Sequence, residues 1–528
     1  MPALHVDLSQ VDSATLATTG AIALGLLYAG RLLLQNDTRN NGPTPRPIHW
    51  PESTLPVLGN ILDIAKGDML HHWILEQNLK FKGEPWHMKI PGAGMPRIML
   101  FTPEAYEEVT TTQFDNFIKG QFQLERIEHL LGRGLVASDG ERWHRQRKAG
   151  VKFFSAKTLR AFMTQAMKKN MGQLQTVLDT TMQTGGKIDL LKLFHDFTIQ
   201  TFMEMGLGIK LQWIGSKEPH PFEVAVDRGT MLANRRFRVP SFVWKMERWL
   251  NIGHEKEMAQ HLDTIYTWMN RVVQESLERV TSRRAHQDNA RDTSNAEVKS
   301  VVELFVEQSS EDAEGLRPED LVEFILTFVL AARDTTAVTL SWMLYALSIN
   351  PHVEEALRDE LAQKIDVDKD TYLTTEHVRS LTFLEATIKE TLRLYPAVPY
   401  TMREAVNDTF LCGDIYVKKG QVVGLSAYSM GRNPMIWGLD VNEFKPERWI
   451  DQKTGELINI PASKFFSFSA GPRTCIGMTL AMMEVRVITA NLLRKYRFTI
   501  DPSNDGSYVP AIGLNMKHPL LASVRSAE

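Results

Sequence analysis

Apolar residues recur at helical spacing along most of the chain. The spacing over residues 155–182 predicts one long helix, which the glycine pair at 185–186 ends. A second long apolar run extends over residues 318–349, with a proline at its start, where a helix tolerates one. Strand-like sequence is limited to short pieces near Leu100 and Val423. The pattern predicts a mainly α-helical chain with small β-sheets, in the α+β class.

The first 35 residues differ from the rest. Residues 14–30 carry no charge, and with Arg31 reaching back to the interface the apolar stretch is long enough to cross a bilayer. Asp7 and Asp12 precede this run and arginines follow it, which is unlike a secretory signal and leaves the main body cytosolic. We therefore expect residues 1–35 to form a single-pass membrane anchor. A buried core helix is the alternative, which the terminal position and the Thr and Gly content disfavour.

The chain after the anchor divides by composition. Residues 36–58 are rich in proline and cannot form a helix, so we expect a stiff linker there. Residues 59–528 are expected to form one domain without internal repeats. Within that domain, residues 281–299 are polar and nearly free of apolar side chains, which predicts a mobile loop.

Composition excludes several classes of protein. Hydrophobic residues make up 43% of the chain and charged residues 23%, which is typical of a large globular protein. The net charge of -3 argues against general nucleic-acid binding. Only two cysteines are present, so no disulfide framework exists and each thiol needs its own explanation. Cys412 has no motif around it and is expected to be an ordinary small apolar residue.

Cys475 lies where a turn leads into a helix. Gly471 and a proline favour the turn, Gly477 would let a flat ligand approach, and apolar residues then follow at helical spacing. A helix N-terminus stabilises an anion, so we expect the pKa of this thiol to be lowered. A thiolate here could be a nucleophile or a metal ligand. Zinc needs more Cys and His ligands than the motif offers, whereas one thiolate suffices for haem.

The spacing of this loop is recognisable. Phe468, Gly471, Arg473, Cys475 and Gly477 follow the pattern FxxGxRxCxG, which resembles the haem-binding loop of the cytochrome P-450 superfamily. The resemblance implies the cytochrome P-450 fold, haem b as the cofactor, and Cys475 as the axial ligand of its iron.

Two further motifs fit this resemblance. Glu390 and Arg393 lie at i, i+3 and match the family's ExxR pair, which Arg448 from a PERF-like segment would join. By itself such a pair is only a common surface pattern. The resemblance implies a buried, structural network that holds the cysteine loop.

Cationic residues are also placed where a haem would need them. Trp143 and Arg147 match the family's WxxxR motif, whose side chains meet a haem propionate, and Arg473 and Arg403 stand where further propionate contacts are expected. For Arg403 a solvated surface arginine is the competing interpretation. The basic residues around His144 could dock an acidic electron donor or simply form a solvated face.

The long apolar helix contains the sequence AARDTT. An acid and a hydroxyl inside an apolar helix are costly unless they are paired, bonded to the backbone or used to handle protons. The segment resembles the family's oxygen-activation signature, in which Asp334 and Thr335 would organise water and deliver protons. The usual glycine is replaced by Ala332, which makes the regiochemistry harder to predict.

The resemblance implies a monooxygenase that inserts one atom of O2 into a C–H bond of a lipophilic substrate. Electrons would come from a separate NADPH-dependent flavoprotein reductase, with the enzyme in the endoplasmic reticulum membrane. The motifs look like those of the eukaryotic clan of fatty-acid and alkane ω-hydroxylases, and membrane lipid would deliver such substrates. A sterol, other lipid or xenobiotic hydroxylase is the alternative. A hydroperoxide-rearranging enzyme commonly lacks the acid–threonine pair, and a non-catalytic haem protein is the remaining class.

Overall fold

The computed structural model describes residues 44–287 except 156, residues 321–509, and residues 511–527. The predicted anchor (1–35) lies outside the described residues, as do the start of the linker and residues 288–320. Among the described residues, no helix is both long and apolar enough to cross a bilayer.

Helices dominate the described part of the chain. The longer ones are α1 (Leu70–Lys80), α2 (Gly120–Leu131), α3 (Gly140–Ser155), α4 (Lys157–Thr184), α5 (Leu190–Leu207), α6 (Pro221–Arg235), α7 (Ser241–Leu250), α8 (Gly253–Gln287), α9 (Leu321–Ile349), α10 (Pro351–Lys364), α11 (Thr382–Leu394) and α12 (Met478–Lys495). Short helices span Ile61–Ala65, Pro103–Glu107, Thr375–Val378, Ala427–Met430 and Pro434–Trp437, and a π-helical turn spans Glu108–Thr112.

The strands are short and form three small sheets. They are β1 (Trp86–Met88), β2 (Arg97–Leu100), β3 (Phe117–Ile118), β4 (Lys187–Asp189), β5 (Tyr400–Ala405), β6 (Thr409–Leu411), β7 (Ile415–Val417), β8 (Val422–Ser426), β9 (Tyr496–Ile500) and β10 (Leu521–Ser526). The largest sheet has the order β1-β2-β8-β5-β3, in which only β2 and β8 run parallel. The others are β4-β10-β9 and the hairpin β6-β7. This architecture confirms the predicted mainly helical class with small sheets.

The two long helices predicted from the apolar spacing are present. Helix α4 ends at Thr184, and Gly185 follows with a φ of 66°, a left-handed conformation that suits glycine. Helix α9 ends at Ile349 as predicted, while residue 318 lies outside the described part. The predicted strands near Leu100 and Val423 are β2 and β8, which pair with each other.

Helix α9 runs through the middle of the hydrophobic core. Most of its residues are buried, and it packs against α5, α11 and α12. The hydroxyl of Thr198 on α5 donates to the carbonyl of Arg333 at 2.8 Å, which fixes the two helices side by side. Helix α9 thus brings the AARDTT segment into the interior of the domain.

Two sequence-based boundaries differ in the structure. Residues 281–287 were expected to begin a mobile loop but continue helix α8, because arginine, alanine and glutamine propagate a helix that has already started.

The last part of the expected linker is held against the domain. The Arg46 side chain donates to Asp414 at 2.9 Å and to Glu84 at 2.7 Å. The backbone of His49 forms an isolated parallel β-bridge with Trp86. The packed domain therefore begins before residue 59.

Candidate active site

A largely apolar cavity separates helix α9 from the segment around Cys475. One wall comes from α9, with its small residues and threonines facing inward. The opposite wall comes from the cysteine loop and the start of α12. The residues of the two walls are Ala331, Ala332, Thr335, Thr336 and Thr339 on one side, and Phe468, Cys475, Ile476, Gly477 and Leu480 on the other. Ala332, which replaces the usual glycine, therefore contributes its methyl group to the cavity wall.

The Cys475 thiol opens into this cavity. Its backbone N–H donates to the Phe468 carbonyl at 2.8 Å, and helix α12 begins at Met478, directly after Gly477. The expectation of a lowered thiol pKa was wrong: burial raises the pKa of Cys475, outweighing the opposing effects of the Gly477 N–H and the Arg147 guanidinium. A protonated thiol is a poor nucleophile, whereas a bound metal cation would deprotonate it.

The two glycines of the loop have different roles. Gly477 lines the cavity beside the thiol, as expected of a residue that makes room for a ligand. Gly471 does not belong to the cavity wall. It has a φ of 64°, and a side chain there would lie 1.9 Å from the carbonyl oxygen of Thr110 in the π-helical turn. Gly471 therefore serves the close packing of the loop on that turn rather than direct contact with a cofactor.

One edge of the cavity carries Trp143 and two arginines. The Arg473 guanidinium lies 4.5 Å from the Trp143 ring centroid, donates to the Ser138 carbonyl at 3.1 Å and pairs with Asp139. Burial lowers the pKa of Arg473 to about 10, although Asp139 acts in the opposite direction. Arg147 also lines the cavity, and burial lowers its pKa as well. The WxxxR motif and the loop arginine, which are far apart in sequence, meet at this edge.

Arg403 and Lys119 complete the same edge. Arg403 is 2% exposed, which rules out the solvated surface arginine that the sequence left open. Burial, with Arg473 adding repulsion, lowers the pKa of Arg403 to about 9, and burial lowers the pKa of Lys119 well below its usual value. Sequence reasoning missed Lys119, because a lysine between a two-residue strand and a helix has no local signature.

This edge carries an excess of buried positive charge. Lys119, Arg147, Arg403 and Arg473 line it, and in the described parts of the chain Asp139 is the acid that acts on Lys119, Arg403 and Arg473. The buried Nε of Arg473 has no hydrogen-bond partner among the described residues. Buried cations need anionic partners. A haem fits this site. Its macrocycle suits the apolar walls, its iron can take the Cys475 thiolate as a ligand, and its two propionates can pair with the cationic edge.

The acid on α9 is part of an ion-pair chain. Asp334 accepts a bond from Arg333 at 2.8 Å, and the same Arg333 nitrogen lies 2.7 Å from Asp227 on α6. Burial raises the pKa of Asp334 to about 6, although Arg333 acts in the opposite direction. Asp334 can therefore gain and lose a proton near neutral pH. The Thr335 hydroxyl donates to the Ala331 carbonyl at 2.7 Å, so its oxygen remains available as an acceptor.

A second acid lies at the cavity and was missed from the sequence. Glu484 on α12 accepts a hydrogen bond from the Thr336 hydroxyl at 3.3 Å, which links α12 to α9 across the cavity wall. Burial raises the pKa of Glu484 to about 7. Its one sequence signal is that it interrupts an apolar stretch of α12.

The ExxR motif forms a buried network behind the cysteine loop. Glu390 is fully buried and accepts bonds from two of the three Arg393 side-chain nitrogens at 2.7 Å, from Arg448 at 3.3 Å, and from the Trp449 ring N–H at 2.9 Å. Arg393 in turn donates to three backbone carbonyls, those of Gly431, Val441 and Glu443. The network ties α11 to the chain that precedes the loop, and the Ser467 hydroxyl bonds to the α11 backbone at 2.7 Å. Geometrically this is the structural cluster that the sequence predicts.

Two other predicted features lie away from the cavity. Cys412 is a partly buried side chain packed against the core under the largest sheet, as expected of a small apolar residue. The basic face around His144 is less free than its sequence suggests, since Arg142 pairs with Glu323 at 3.0 Å and Arg145 with Glu141 at 3.3 Å.

Comparison with known proteins decides the family. The family model described as Cytochrome P450 matches residues 50–517. The chain belongs to the cytochrome P450 family. Its relatives include Cytochrome P450 704B1 of Arabidopsis thaliana, which is 30% identical with 89% of this chain and 94% of the relative covered. Cytochrome P450 86B1 of the same plant is 29% identical, covering 89% and 84%, and its Alkane hydroxylase MAH1 is 28% identical, covering 91% and 94%.

Membership fixes the reaction class. This P450 is a monooxygenase that incorporates oxygen from O2 into a lipophilic substrate and draws its electrons from a redox partner. It carries haem b with a cysteine thiolate as the axial ligand, and Cys475 is the cysteine in the cavity. When bound, the haem supplies the oxygen-activating chemistry. The chain contributes the largely apolar cavity and its cationic edge.

Proposed function

We propose that this P450 hydroxylates the terminal or near-terminal carbon of a fatty acid or alkane. The observation that carries the proposal is a second, largely apolar cavity that borders the first along α9 and shares lining residues with it. Thr327, Ala331 and Thr335 line both cavities, as does Val398 from the opposite side. Such an arrangement suits a long flexible chain whose end reaches the haem side of α9. A relative's name, Alkane hydroxylase MAH1, supports the same substrate class.

The site residues take distinct roles in this proposal. Asp334 and Thr335 act in proton delivery, because the carboxyl of Asp334, with a pKa near 6, lines the second cavity beside Thr335, which lines both cavities. Phe468 and Gly477 line the proximal wall. Glu390, Arg393 and Arg448 are structural. The aromatic and cationic side chains at the edge hold the haem propionates, and these are Trp143, Arg147, Arg403, Arg473 and, in addition, Lys119.

Delivery of substrate and electrons belongs to the same proposal. Residues 1–35 anchor the enzyme in the endoplasmic reticulum membrane with the catalytic domain in the cytosol, and a separate NADPH-dependent flavoprotein reductase supplies electrons. Helix α7 supports contact with membrane lipid, because it and the residues after it expose several large apolar side chains. These are Phe242, Met246, Trp249, Leu250 and Ile252.

Two experiments test the proposal. In the reduced, carbon-monoxide-bound protein, a thiolate ligand shifts the Soret band strongly to the red. The Cys475→Ser variant should lose this band and the matched Cys412→Ser variant should keep it; a histidine-like band in the wild type would contradict the ligand assignment. The second experiment incubates the enzyme with a reductase, NADPH and a panel of fatty acids, alkanes and sterols, and identifies products by mass spectrometry. Sterol products without chain-end hydroxylation would contradict the substrate class.

A further inference from the structure

Arg97 opens into the second cavity, away from the haem site. It is the first residue of β2, and it faces a space enclosed mainly by apolar side chains from α1, α2, α9 and the turn before β5. Arg97 is not part of the first cavity, whose cationic edge is formed by other residues. The haem propionates therefore do not account for its charge.

The Arg97 side chain is buried without a full set of partners. It is 5% exposed, and its Nη2 has no hydrogen-bond partner among the described residues. The Tyr400 hydroxyl interacts with it, and its guanidinium lies 4.7 Å from the Phe122 ring centroid. An arginine stays protonated in a protein, and neither a phenol nor an aromatic ring neutralises a buried positive charge.

Its surroundings add positive charge rather than compensate for it. Arg126 lies 3.6 Å from the same Phe122 ring, and Arg238 lines the cavity with its buried Nε unbonded among the described residues. Glu125, the acid that acts on Arg126, pairs with Lys245 at 2.9 Å. Within the described chain, no carboxylate forms an ion pair with Arg97 or Arg238. The acid in the cavity lining is Asp334, and Arg333 already pairs with it at 2.8 Å.

We propose that Arg97, together with Arg238 from the same cavity lining, binds the carboxylate of a fatty-acid substrate in the second cavity. A carboxylate offers two acceptor oxygens to the guanidinium and supplies the missing countercharge. The hydrocarbon chain then lies along the apolar lining, and its far end reaches Ala331 and Thr335, which line both cavities. This inference rests on the proposed function and deepens it: the preferred substrate is the free acid, and oxidation falls at the end opposite the carboxylate.

The test compares ligands that share a chain and differ in one end. Dodecanoic acid, its methyl ester and dodecane are titrated into the haem-loaded enzyme, and binding is read from the shift of the Soret band. We expect the acid to bind at least tenfold more tightly than the ester or the alkane. In the Arg97→Gln variant the affinity for the acid should fall about ten- to a hundredfold, which is the effect expected when a charge-assisted hydrogen bond is lost. The affinity for the ester should stay the same. The Arg97→Lys variant keeps the charge but loses the two-pronged guanidinium donor, so its affinity for the acid should lie between those of the wild type and Arg97→Gln.

The matched control is Arg235→Gln. Arg235 is the last residue of α6 and lies close to Arg238 in the chain. It already pairs with Glu247 at 2.8 Å and does not line the cavity, so its loss should leave the acid-to-ester ratio unchanged. Equal affinity of the wild type for acid and ester would overturn the proposal. An equal loss of affinity for both ligands in Arg97→Gln would also overturn it. Chain-end hydroxylation of alkanes would survive either result, so failure here is distinguishable from failure of the proposed function.

Discussion

The buried Glu390 network makes a quantitative prediction about stability. In Glu390→Gln the Arg393 guanidinium would keep its buried position and lose its countercharge. Breaking a buried ion pair by removing one partner costs about 3–5 kcal/mol. Glu390 is fully buried and also accepts the Arg448 and Trp449 bonds, so we expect the loss in unfolding free energy to fall in this range.

A surface ion pair supplies the comparison. Glu355 pairs with Arg497 at 2.6 Å, but its side chain is 56% exposed, and exposed pairs contribute less than about 1 kcal/mol. Trp449→Phe removes one charge-assisted bond of 2.9 Å from Glu390 and should cost about 1.5–3 kcal/mol, because the aromatic packing remains. The predicted order of destabilisation is therefore Glu390→Gln, then Trp449→Phe, then Glu355→Gln.

The assay is urea denaturation of the haem-loaded protein, followed by both tryptophan fluorescence and the Soret band. The fluorescence reports unfolding of the domain, and the band reports whether the cysteine loop still holds the haem. If Glu390→Gln costs no more than Glu355→Gln, the network does not stabilise the fold and the reasoning from burial is wrong.

Three further predictions concern the cavity and the cysteine loop beside it. Thr335→Ala should uncouple reductant consumption from product and release peroxide; a coupling ratio equal to the wild type would remove this hydroxyl from proton delivery. Gly471→Ala should prevent haem incorporation because its methyl group would meet the Thr110 carbonyl at 1.9 Å, whereas Gly455→Ala, also at positive φ but with open space around it, should not. Because burial raises the pKa of Glu484 to about 7 from 4.5, the folded protein retains that proton and wild-type stability falls as pH rises between these values. The Glu484→Gln variant should lose up to about 3 kcal/mol of this pH-dependent fall in unfolding free energy, measured by urea denaturation at several pH values. The same slope of unfolding free energy against pH in variant and wild type would contradict this prediction.

Much of the site is predictable because its motifs are local. The cysteine loop FxxGxRxCxG, the i, i+3 pair of Glu390 and Arg393, and the acid–threonine pair on α9 are each readable within a few residues. The ends of α4 and α9 also follow from local signals, a glycine pair and the close of an apolar run. Such features depend on backbone geometry that a short segment determines.

Burial reversed one expectation and decided another. The position of Cys475 before a helix predicts a lowered thiol pKa, but desolvation by the surrounding chain dominates and raises it. Arg403 could have been a surface residue, and its burial beside Arg473 identifies it as part of the cationic edge. Solvation depends on every segment that packs around a group, so it cannot be read from the group's own neighbours in sequence.

The sequence by itself determined the class of the protein, the helical architecture and the cysteine that holds the haem. Only the tertiary structure showed that Lys119 joins the cationic edge and that Gly471 packs against a distant turn. It also showed that Arg97 is buried beside a largely apolar cavity with no ion-pair partner among the described residues. The physical reason is the same in each case. These properties arise from charges and atoms that are far apart in sequence and come together only when the chain folds. Local residue spacing, in contrast, predicts only the helix, strand or turn to which a residue belongs.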